Sequence, residues 1–311
     1  MKSQHRNRRI KAEPGSRRPG RGAAAGILAS TAAAVATSAV RRGIDAIWQQ
    51  SSRQQRRWLR SNFKGDQVSL AEGPGIVAGL VTGGLVKLVC GEQPRNDTAH
   101  LIAVTSAGTL GLVDDLAEPD PARARGLRGH LSSLRQGRVT TGAVKLLGIG
   151  ASSLAAAIII ATERREAGCT RTAVMVDVIS DTALIAGMAN LVNLLDLRPG
   201  RALKAATVLS MAVLPHSSHV VASMTAAAPG DLTGTHMAGD AGANALGAAV
   251  GSLWAAHLPR SLRIAAAAGV VGLNLASERV SFSRVIREVE ILNTIDQWGV
   301  VQSAPETTEA G

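Results

Sequence analysis

Apolar residues along this chain come in blocks rather than in period-2 alternation, and short polar connections separate the blocks. The blocks are residues 23–40, 68–90, 98–113, 140–162, 172–195, 202–215, 219–228, 241–256 and 264–276. A helix rises ~1.5 Å per residue, so blocks near 20 residues match a ~30 Å hydrocarbon core. The pattern predicts an all-α polytopic integral membrane protein, a bundle of about nine to ten transmembrane helices. Residues 1–22 read as a disordered basic tail, 23–277 as the transmembrane domain and 278–311 as a cytoplasmic C-terminal tail. Glycines four apart (Gly75, Gly79 and Gly83; Gly247 and Gly251) mark stripes where helix backbones can approach closely.

Composition sharpens this picture. Hydrophobic residues make up 46% of the chain, charged residues 18% and aromatics 2%. A soluble domain carries about 25% charge, so the composition argues against a soluble globular enzyme, and the apolar content and lack of a Gly period exclude a disordered chain and a collagen-like one. A net charge of +11 raises the question of nucleic acid. The basic residues instead sit at block ends, with no interleaved aromatics to stack on bases, so no nucleic-acid partner is expected. Connections 41–64, 114–138 and 196–204 and the tail after Ser277 hold 18 Lys and Arg, against 5 in the alternate connections. The positive-inside rule makes the first set cytoplasmic. The basic N-terminal tail conflicts with that orientation if block 23–40 spans. Cys90 and Cys169 fall on the opposite side, where a disulfide could persist.

That orientation gathers chemistry at one face. Asp114 and Asp115 end the third block in GLVDD; Asn190, Asn193 and Asp196 end the fifth in NLVNLLD, spaced by three along one helix side; Asp240 opens the eighth in GDAG. Carboxylates converging at a membrane interface suit a hard cation with a phosphate-bearing substrate. The alternative is that each marks a helix end in contact with water.

In order and spacing these motifs resemble those of the polyprenyl-phosphate N-acetylhexosamine-1-phosphate transferases, the glycosyltransferase family 4 type that includes phospho-N-acetylmuramoyl-pentapeptide transferase. GLVDD matches the family's paired aspartates, NLVNLLD its Asn-x-x-Asn-Leu-x-Asp, and GDAG its Gly-Asp-x-Gly helix start. The chain departs from the pattern at Glu118, where the family often has Lys, at Pro199 in place of an Asp, at Ala243 in place of a Ser, and in lacking a late His-rich loop. The run Arg198, Pro199, Gly200, Arg201, Lys204 is similar to that of a divergent bacterial subgroup.

The resemblance implies Mg²⁺-dependent transfer of a sugar-1-phosphate from a UDP-sugar to a polyprenyl phosphate, for cell-envelope polymers, at the cytoplasmic face of the cell membrane. It implies Asp114, Asp115 and Asp196 as catalytic groups and Asp240 as metal ligand, with Asp115 or Asp196. Asn190, Asn193, Arg198, Arg201, Lys204 and His130 are the substrate-binding candidates, the basic ones equally explained as positive-inside charges. A homodimer is left open. Elsewhere, Asp177 and Asp181 lie four apart within the fifth block, with Lys87 a candidate ion-pair partner, and His216 and His219 have metal-like spacing. Two rival functions stand beside the transferase: an intramembrane prenyltransferase, for which DVISD supplies an Asp-x-x-x-Asp, and a non-catalytic or transport member of the family.

Overall fold

The computed structural model describes residues 21–48, 58–61, 65–117 and 140–301. Most of the predicted N-terminal tail, the connection holding Glu118 and His130, and the end of the C-terminal tail lie outside the described residues.

The described chain is a helical membrane protein. Its helices are α1 (Arg21–Trp48), α2 (Glu72–Cys90), α3 (Pro94–Leu116), α4 (Thr141–Glu166), α5 (Arg171–Leu195), α6 (Arg201–Met211), α7 (Ser218–Leu232), α8 (Gly239–His257), α9 (Arg260–Ser277), α10 (Phe282–Glu288) and α11 (Glu290–Gln297). Four of them, α1, α2, α4 and α5, are long and apolar enough to cross a membrane. Starts follow local chemistry: Thr140 and Thr170 cap α4 and α5 by accepting from Ala143 and Ala173 N–H, and Pro94 opens α3.

Two predicted spans take another form. Blocks 202–215 and 219–228 become α6 and α7, with 11 and 15 residues, about 16 and 22 Å long and short of a ~30 Å core. They fold back as an antiparallel pair, closed where the Gly200 N–H donates to Asp231 Oδ2 at 3.0 Å.

Helix α8 is the centre. Beyond Asp240 and Asn244 at its start, its sequence, GDAGANALGAAVGSLWAAH, is mostly small and apolar all round, as suits a helix in a core. Nearly all of it is buried, against α2, α3, α4, α5 and α6. Gly251 and Gly247 lie on the α5 backbone at Ile185 and Met188, while Gly75, Gly79 and Gly83 of α2 receive Thr37 of α1 and His219 of α7. The small-residue stripes are therefore helix crossings. A Cβ at Gly247 would run into the Met188 carbonyl, so Gly247→Leu should cost at least ~1–3 kcal/mol through overpacking. A Cβ at Gly269 of α9 meets nothing within 4 Å, so Gly269→Leu should leave the thermal unfolding midpoint in detergent unchanged.

A feature absent from the sequence reading joins α1 to α2: strands β1 (Leu59–Ser61) and β2 (Gln67–Ser69) form an antiparallel hairpin, Arg60 opposite Val68. Ser69 then fastens the α7–α8 connection, its N–H donating to the Thr235 carbonyl and its carbonyl accepting from Met237 N–H, both at 3.0 Å. The hairpin thereby carries Arg60 and Ser61 to the end of the bundle where α3 and α5 finish and α4 and α8 begin.

Candidate functional site

At that end three motifs, distant in sequence, share one wall. Gly239 adopts φ +59°, the left-handed region glycine favours, and a Cβ there would come within 3.0 Å of Asp115 Oδ2. This turn aims the first N–H groups of α8 at a carboxylate. Asp240 N–H and Ala241 N–H donate to Asp115 Oδ1 and Oδ2 at 3.0 and 2.9 Å, and Asp196 lines the same groove as Gly239. Asp115 thus satisfies two orphan donors at the positive end of a buried helix. Gly111 of α3 rests directly on the Asp240 backbone, and a Cβ on Gly242 would lie 3.0 Å from the Gly73 Cα, so the missing side chains bring these helix ends together.

The fourth acid, Asp114, accepts from the Thr141 hydroxyl at 2.8 Å. Lys145, one turn into α4, bridges it to Asp240: Nζ lies 3.1 Å from Asp114 Oδ2 and 2.7 Å from Asp240 Oδ2. Arg60 donates to the Asp115 carbonyl. Lys145 and Arg60 were not among the sequence candidates. For Lys145 a signal existed, since an ionisable residue inside an apolar block is a functional candidate by default.

Asp114, Asp115, Asp240 and Arg60 line an open groove of about 540 Å³, with Asn193 beside Asp196, and Lys145 stands behind its acidic wall. A second cavity of about 410 Å³ adjoins it, sharing Asp196 and adding Arg198, Asp231, His236, Ser283 and Arg287. Burial, and next the charge of Asp240, pushes the Asp115 carboxyl up to about 7 against its two backbone hydrogen bonds. Asp196 is raised well above the usual carboxylate range by burial and then by Asp231 and Asp115. Burial likewise raises Asp231 to about 7. Four acids facing chiefly one ammonium leave excess negative charge that protons or a cation must balance.

The donors are all oxygen, as a hard cation requires. Among the described residues no three His, Cys, Asp or Glu side chains form a ready-made cage. Mg²⁺ is ordinarily held by one or two carboxylates with phosphate and water completing the shell, so the residues present fit that ion with a phosphate ligand. Lys145 marks the place where positive charge is wanted.

The other candidates lie apart. Asn190 donates to Asn274 Oδ1 of α9 at 2.5 Å, outside the groove. Arg201 grips Asp296 of α11 through Nε and Nη2, both at 2.7 Å, and Lys204 donates to the Asp296 carbonyl at 2.6 Å. The two basic residues fasten the C-terminal helices. Arg198 alone of the three lines a cavity.

At the opposite end the candidate Lys87–Asp177 pair does not form. Lys87 donates to the His216 carbonyl at 2.7 Å, whereas Asp177 meets Arg260 at 2.7 Å and Arg263 at 3.2 Å, and Asp181 meets Arg164 at 2.5 Å and Arg263 at 3.2 Å. Both carboxylates are occupied by guanidinium groups because the start of α5 packs beside the end of α4 and the start of α9. Arg263→Met should therefore destabilise by about 3–5 kcal/mol, by leaving buried acids underpaired, seen as a lower unfolding midpoint. His216 stacks on His257, and His219 Nε2 lies 3.1 Å from His100 Nε2, so the two do not converge as their spacing suggested. Cys90 and Cys169 are free thiols, so the disulfide that their shared side would allow is not formed.

No protein-family model and no curated protein matches the sequence.

Proposed function

We propose that this protein transfers a sugar-1-phosphate from a UDP-sugar to a polyprenyl phosphate in the cell membrane, with the groove at the cytoplasmic face. The observation that carries the reading is the meeting of Asp114 and Asp115, Asn193 and Asp196, and Gly239 and Asp240 around one groove at one end of a membrane bundle. An oxygen of the lipid phosphate attacks the β-phosphorus of the donor. The bond from that phosphorus to the bridging oxygen breaks, UMP leaves with the electron pair, and the lipid keeps the sugar-1-phosphate. Phosphoryl transfer of this kind needs charge compensation and alignment more than covalent help.

Asp240, with Asp115 or Asp196, would hold Mg²⁺, which when bound neutralises diphosphate charge. The side chains do the rest. Asp115 fixes the start of α8 so that Asp240 faces the groove, Asp114 orients the incoming lipid phosphate, and Lys145, held between Asp114 and Asp240, is placed to pair with a phosphate oxygen. Arg198 in the adjoining cavity is placed for the donor. Incubating purified protein with labelled UMP, polyprenyl phosphate and a panel of UDP-sugars tests this: Mg²⁺-dependent exchange of label into one UDP-sugar is expected, and no exchange into any would overturn it.

A further inference from the structure

The last two described helices turn back across the end of the bundle that carries the groove. Asp296 of α11 is buried and doubly held by Arg201 at the start of α6, and Val301 N–H donates to the Leu232 carbonyl at the end of α7 at 3.0 Å. With both fastenings on the α6–α7 pair, α11 lies across the bundle end instead of prolonging α9. The side away from these anchors is apolar. Ile291, Ile295 and Trp298, spaced by four and three, form one stripe and are 73%, 51% and 76% exposed. Asp296 follows Ile295 and so points ~100° round the helix.

We propose that α11 is seated in the membrane interface, its Ile291, Ile295 and Trp298 stripe sunk into the boundary between headgroups and acyl chains, and that it steadies the wall of the second cavity. The occupant is lipid because, in a helical membrane protein, the stripe continues an exposed apolar surface: α9 ends with Leu273, Leu275 and then Val280 exposed, directly before α10 and α11. A tryptophan at its end is the residue type enriched at that depth, and a short helix with an apolar stripe, flanked by exposed Leu292, and with Asn293, Thr294 and Gln297 on its other faces, has the amphipathic form that lies on a bilayer. Between residues 278 and 297 acidic residues outnumber basic ones four to three, so apolar contact, not attraction to anionic lipid, holds the helix. The link to the cavity is Arg201, which holds Asp296 and also donates to Ser283 Oγ of α10 at 2.9 Å, where Ser283 and Arg287 line the wall. This inference rests on the membrane fold and not on the transferase reading.

The test uses the full chain with Cys90→Ser and Cys169→Ser, carrying Ile291→Cys, Ile295→Cys or Gln297→Cys singly. Each is labelled with an environment-sensitive fluorophore and reconstituted into phosphatidylcholine vesicles, with and without phosphatidylglycerol. Labels at 291 and 295 should be quenched by shallow spin-labelled lipid and be about threefold less accessible to aqueous iodide than the label at 297, as expected for a face sunk ~5–10 Å into the interface. The result should be the same in both lipid compositions. Equal iodide quenching at all three positions would overturn the proposal. So would protection at 291 and 295 that disappears on lowering the protein-to-lipid ratio without lipid quenching, which would mean that a second copy covers the stripe.

Discussion

Asp240→Asn is expected to lower the transfer rate by about 10²–10³-fold, the loss typical of removing one preorganised charge-stabilising group from a reacting phosphoryl or acyl centre. The substitution exchanges an oxygen for a nitrogen at nearly constant volume. The side chain's recorded partner is Lys145, which keeps Asp114 at 3.1 Å, and the Asp240 N–H still donates to Asp115. The fold should survive, with the unfolding midpoint nearly unchanged, while excess Mg²⁺ restores little activity because the lost charge belonged to the ligand itself. Loss of activity together with loss of folded protein would instead assign Asp240 a structural role.

Asp115→Asn is expected to damage both rate and stability. Its two oxygens accept the N–H groups of Asp240 and Ala241; an amide presents one oxygen and one NH₂, so one backbone donor faces another donor. A buried unsatisfied donor costs about 1–3 kcal/mol, and the misplaced start of α8 carries Asp240 with it. This residue also sets a pH dependence. The carboxyl is raised from 3.8 to about 7 in the folded state, so between those values the folded protein binds a proton that the unfolded chain has released. Its contribution to cation-free stability is fully present below the unfolded value and is lost as pH rises through the folded one. Unfolding midpoints without divalent cation should fall from pH 5 to pH 8 in the wild type and fall less in Asp115→Asn. Mg²⁺ competes with that proton, so its stabilising effect should be larger at pH 8 than at pH 6. A flat profile in the wild type would contradict this assignment.

The groove was legible in the sequence because its acids sit at the ends of apolar blocks, where block boundaries and charge bias already gather them at one face. Asp114, Asp115, Asn193, Asp196 and Asp240 came from that logic. Lys145 carried a signal inside an apolar block, yet one turn from its start it reads equally as an interfacial charge until α4 is set against α3 and α8. Arg201 and Lys204 looked like phosphate contacts, since nothing local points to Asp296, 95 residues from Arg201. Asn190 shares a helix side with Asn193 by spacing, yet α9 packs against that part of α5 and takes it through Asn274. The Asp177 and Asp181 network was hidden for the same reason, its arginines arriving from α4 and α9. The α6–α7 pair misled because apolar content alone does not distinguish a span from a shorter helix hairpin.

The most direct test of the account identifies the products. Purified protein, polyprenyl phosphate, the UDP-sugar selected by exchange and Mg²⁺ should yield, by mass spectrometry, a polyprenyl-diphospho-sugar and UMP in equal amounts, with both strongly reduced for Asp240→Asn at matched folded protein. Release of UDP in place of UMP, or equal product from wild type and Asp240→Asn, would contradict it.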